Sequence, residues 1–135
     1  MSLLIIGYCH LADGFLYASN SLIKKNYDIT LFPYLSYKLD NKSDIEIIDD
    51  FYKILKEKNI DICLWWNNSI DFKLFIKLYN KNLVNILYNW DPFLIDYKKY
   101  NCSIWEYNLE NKKKIYPYMN FIFLYFEKEI KFFSD

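Results

Sequence analysis

Arginine is missing from this chain of 135 residues, whose basic side chains are 17 lysines and one histidine. The guanidinium group is the usual bidentate reader of phosphates and guanine edges, so its absence counts against a nucleic-acid reader. The lysines are balanced by 17 acidic residues, which leaves no net field to draw the chain to nucleic acid or to an anionic membrane. Glycine occurs twice and proline three times, too rarely for a flexible linker or a low-complexity segment. Gly7 and Gly14 fit neither a G-x-G-x-x-G turn nor a Walker A loop, so a dinucleotide or nucleoside triphosphate cradle of the usual kind is unsupported. Cys9, Cys63 and Cys102 are odd in number and show no C-x-x-C pattern. With His10 as the single histidine they give a zinc site little to build on, and they read as reduced thiols of a cytoplasmic protein. No apolar run approaches the roughly 20 residues that span a bilayer. The opening Leu3-Leu4-Ile5-Ile6 is too short for a signal-peptide core and has no basic residue before it.

What the chain does have is aromatic residues, at 21%, beside many Ile, Asn and Lys. That bias is what an AT-rich coding sequence produces, as in some protists or large DNA viruses, so aromatic richness alone does not mark a binding platform. The length fits one domain of about 100–150 residues. The apolar residues come in short blocks. Leu3 to Tyr8, Ile29 to Phe32, Ile60 to Trp65, Leu83 to Tyr88 and Phe121 to Phe126 each have the length and composition of a strand, and Pro33 closes the second. Between them lie helical patterns. Phe15, Ala18, Leu22 and Ile23 share one face over 13–25, and Ser43 with Glu46 forms a capping box before Ile47, Ile48, Phe51, Ile54 and Leu55. Early acidic residues and late lysines on this second helix suit its dipole. A third helix is expected to run from a cap at Asn68 or Ser69 through Tyr79, and a short one over 93–100. The polar stretch 97–120 reads as a long connection, and a further helical pattern begins at Glu127.

Strands alternating with helices predict a single α/β domain over 1–135, a Rossmann-like, mostly parallel sheet of four to five strands with helices on both faces, truncated soon after the fifth strand. In such sheets ligands bind beyond the carboxyl ends of the strands. That rule selects three clusters: Tyr8-Cys9-His10-Leu11-Ala12-Asp13-Gly14, Trp65-Trp66-Asn67-Asn68-Ser69 and Asn89-Trp90-Asp91-Pro92. His10 has the chemistry of a general base that Asp13 or Asp91 orients; equally it suits a loop residue bonded to backbone. Trp65 and Trp66 should point to opposite sides, one into the core and one toward the cleft, where an indole can stack on a sugar; the alternative is that both are core. Asn89 to Pro92 reads either as part of the site or as a turn with an Asx cap. Asp91 has no second carboxylate at D-x-D spacing, so no metal is expected to carry a nucleotide diphosphate here. A cysteine nucleophile would need a base placed beside it, which the adjacency of Cys9 and His10 does not provide.

Leu4-Ile5-Ile6-Gly7-Tyr8 with its following helix, Phe32-Pro33-Tyr34, Asp61-Ile62-Cys63-Leu64-Trp65-Trp66 and Tyr88-Asn89-Trp90-Asp91-Pro92 together resemble the N-terminal, acceptor-side half of GT-B glycosyltransferases, nearest to the CgeB-like group. The resemblance covers roughly residues 1–100 and implies a saccharide or other glycosyl acceptor at the strand ends. It carries over His10, Asp13, Trp66, Asn89 and Asp91; the strand-end loops add Tyr8, Gly14, Asn67 and Trp90 to the expected substrate-binding set, and His10 and Asp13 are the catalytic candidates. It implies no metal. The nucleotide sugar would sit on a second domain not found in this sequence, so that a partner chain or homo-oligomer would have to complete the enzyme. A non-catalytic α/β interaction or structural module is the alternative. A complete small enzyme of flavodoxin-like shape is disfavoured, because no acidic phosphoacceptor trio or hydroxyl-rich phosphate loop is present.

Overall fold

A computed structural model describes residues 1–7, 28–66, 70–89, 111 and 113–124. Five strands form one sheet: β1 (Ser2–Ile6), β2 (Asp28–Phe32), β3 (Ile62–Trp66), β4 (Val84–Asn89) and β5 (Phe121–Leu124), in the order β2-β1-β3-β4-β5. Every neighbouring pair is parallel, with Leu4 opposite Thr30 and Cys63, and Leu64 opposite Ile86. This is an α/β, Rossmann-like architecture. The same strand order occurs in flavodoxin-like sheets, and order alone carries no function.

Apolar residues are buried on both faces of the sheet, more extensively on one than on the other, and strand alternation divides them between the faces. Leu4, Ile6, Phe32, Cys63, Trp65 and Leu87 belong to the larger cluster; Ile5, Leu64 and Trp66 belong to the other, with Leu3, Ile29, Leu31, Ile86 and Tyr88 packed against it. The described helices all serve the larger cluster. They are α1 (Tyr34–Leu39), α2 (Asp44–Lys58) and α3 (Phe72–Leu78). Phe51 of α2 and Phe75 of α3 reach the Trp65 ring, at centroid distances of 6.5 and 4.7 Å, and each such buried ring contributes on the order of 2–3 kcal/mol. The helix expected over 13–25, the one over 93–100 and the pattern from Glu127 lie outside the described residues.

Of the three described helices, α2 begins with a local side-chain cap. Ser43 accepts from the Glu46 amide at 3.3 Å while the Glu46 carboxylate accepts from the Ser43 amide at 2.8 Å, so the capping box is formed on both sides. The Ser43 amide and the Ser43 hydroxyl, which also donates to the Glu46 carboxylate at 2.8 Å, hold that carboxyl below its ordinary pKa. Asn59 ends α2 in the left-handed region, at φ 47°, which Asn tolerates better than most residues. The third helix departs from expectation. It starts at Phe72, with Asp71 rather than Asn68 or Ser69 in the cap position. Its first amide is met by a residue far along the chain: Phe72 donates to Asn111 Oδ1 at 2.7 Å, and Asn111 Nδ2 donates to the Ile70 carbonyl at 2.6 Å. A cap supplied by tertiary structure frees the start of the helix from the local Ser and Asn signals.

α1 directly follows Pro33, in a stretch for which no element was read from sequence. It buries Tyr34, whose hydroxyl pKa is raised chiefly by burial, and sets the Tyr37 ring edge-on to Phe32 at 5.2 Å. Lys42 then covers the other ring surface, 4.1 Å from the Tyr37 centroid, while pairing with Asp50. The stretch read as a long connection holds ordered residues: Ile115 is fully buried in the larger cluster, and Tyr116–Tyr118 form a 3-10 turn leading into β5.

Candidate ligand site at the carboxyl edge of the sheet

Because the strands are all parallel, their carboxyl ends gather on one edge. β1, β3 and β4 are consecutive neighbours, and with strands about 4.8 Å apart their last residues fall within about 10 Å of one another. Gly7, Trp66 and Asn89 therefore stand at the bases of the three loops selected from the sequence. Strand order reverses between β1 and β3, since the chain passes outward from β1 to β2 and returns to the far side of β1. This is the switch point at which open α/β sheets leave a crevice.

The described strand ends at this edge are tightly packed. The Gly7 amide donates to the Phe32 carbonyl at 3.2 Å. A β-carbon at position 7 would lie 2.9 Å from the Trp66 Cβ and 3.0 Å from its carbonyl oxygen, so glycine is required by the close approach of the β1 and β3 ends. Trp65 and Trp66 do point to opposite faces. Trp65 is in the larger cluster and Trp66 in the smaller one, where it is 6% exposed and stacks on Tyr88, centroids 4.8 Å apart and planes 22° from parallel. Tyr88 is the register partner of Trp66, and β4 continues one residue further to Asn89. The structure thus brings Gly7, Trp66, Tyr88 and Asn89 to one edge. Tyr8, His10, Asp13, Gly14, Asn67, Trp90 and Asp91 lie outside the described residues.

Beneath this edge, Asn85 is fully buried and satisfied on both sides of its amide. Its Oδ1 accepts from the Trp65 indole at 3.0 Å, and its Nδ2 donates to the Asn80 and Leu83 carbonyls, each at 3.0 Å. Its backbone amide donates to Asn120 Oδ1 at 2.7 Å, and its carbonyl accepts from the Asn120 amide at 2.8 Å. One residue thereby fixes the Trp65 rotamer, the turn before β4 and the entry to β5. Neither Asn85 nor Tyr88 is among the site residues expected from sequence. Period-two alternation would have placed Tyr88 on the Trp66 face once the register was known; the role of Asn85 had no local signal.

The chemistry of the described residues is that of a packed core. Burial pushes the Cys63 thiol up to about 12, which leaves it neutral and unreactive at physiological pH. Among the described residues no three His, Cys, Asp or Glu side chains gather as metal ligands would, and no helix is long and apolar enough to cross a membrane. The chain matches no protein-family model, no curated protein and no solved structure.

Proposed function

We propose that this chain is the acceptor-side domain of a GT-B type glycosyltransferase system, holding a saccharide at the carboxyl edge of its sheet. The observation that supports the reading is the switch point between β1 and β3, where Gly7 and Trp66 stand at the carboxyl edge of the sheet beside the β4 end at Asn89. Open α/β sheets take ligands at this edge; the Trp66 indole itself is buried against Tyr88, so in this reading the sugar is held by the loops above it. In this reading the loops after β1, β3 and β4 supply the polar contacts, through Tyr8, His10, Asn67, Asn89, Trp90 and Asp91, with Gly14 allowing close approach. His10 is the base and Asp13 its orienting partner. A separate donor domain supplies the nucleotide sugar, and the protein works in the cytoplasm, where its thiols stay reduced.

The test is thermal unfolding of the purified chain with simple saccharides, free nucleotides and nucleotide sugars. A ligand bound only by the folded chain at ten times its Kd adds about 1.4 kcal/mol, a rise in Tm of roughly 4 °C at this size. Stabilisation by saccharides alone is expected. Stabilisation by nucleotide sugars would put a donor site on this chain and overturn the acceptor-only reading.

The burial of Trp65 and Trp66 favours a second reading, an α/β interaction or structural module whose tryptophans are simply core. Intrinsic fluorescence separates the two. In a saccharide-binding domain the emission changes on titration with the sugar that stabilises it; in a module without ligand it stays constant.

A further inference from the structure

We draw no further inference here: the strongest candidate, the apolar strip that Val84 on β4 and Phe121 and Phe123 on β5 leave exposed along one face at the edge of the sheet, carries nothing because nothing in the structure shows what covers it.

Discussion

At Gly7 the absence of a single carbon lets two strand ends meet. Placing alanine there puts a methyl group 2.9 Å from Trp66 Cβ and 3.0 Å from a backbone oxygen. The backbone oxygen cannot rotate away, so the strand ends must separate. Gly7→Ala is expected to cost about 1–3 kcal/mol, the usual range for overpacking, and to shift tryptophan emission as Trp66 moves against Tyr88. Urea unfolding with fluorescence detection reads both, and an unchanged midpoint would mean that the two strand ends lie further apart. Cys63 gives a second residue-scale prediction. Its thiol is neutral in the fold up to about 12, against an ordinary value of 9.0. Above 9 the unfolded chain ionises first, so the contribution of this group to stability is complete below 9 and is lost as pH rises from there toward 12. Cys63→Ala should flatten that part of the stability curve. Near pH 9.0, where an unshifted thiol is half ionised, iodoacetamide should label Cys63 only as fast as the chain opens. Rapid labelling of the native protein, followed by peptide mass spectrometry, would contradict the burial.

Between elements, what could be read from sequence divides by the range of the interaction. The capping box of α2 and the five strand blocks are legible because their signals lie within a few residues: Ser43 and Glu46 are three apart, and Pro33 directly ends β2. The Trp65 and Trp66 alternation was legible for the same reason. The start of α3 was not, because Asn111 caps it from 39 residues away. Asn85 was not, since an asparagine inside a strand looks like a poor strand former until its three side-chain partners are in place. α1 has six residues, too few for periodicity to separate it from a loop. At the candidate site the bases of the loops followed from the strand ends, whereas the Tyr88 stack required the β3–β4 register. The long-range cap can be tested directly. Asn111→Ala removes the acceptor for the Phe72 amide and the donor for the Ile70 carbonyl, both at a buried position. A loss of about 2 kcal/mol is expected, with faster hydrogen exchange at the first amides of α3. Unchanged exchange there would show that the helix start is held by other groups.

Across the whole molecule, charge and the edge of the sheet act on the same property. The net charge is zero at neutral pH, with a sequence pI near 6.6, so no repulsion keeps copies apart. β5 is the last strand of the sheet among the described residues, and its Phe121, Ile122 and Phe123 are exposed, Phe121 by 59% and Phe123 by 54%. Natural edge strands commonly carry lysine, proline or a bulge that discourages pairing with other chains, and Phe121–Leu124 carries neither lysine nor proline. Replacing Phe121 and Phe123 together by lysine adds two positive charges at an edge where strands from other copies would pair. The rings are more than half exposed, so the replacement should cost only about 1 kcal/mol in all, while light scattering at neutral pH falls and soluble yield rises. A large drop in Tm would show instead that the two rings are covered in solution, and would make β5 part of the core rather than its open margin.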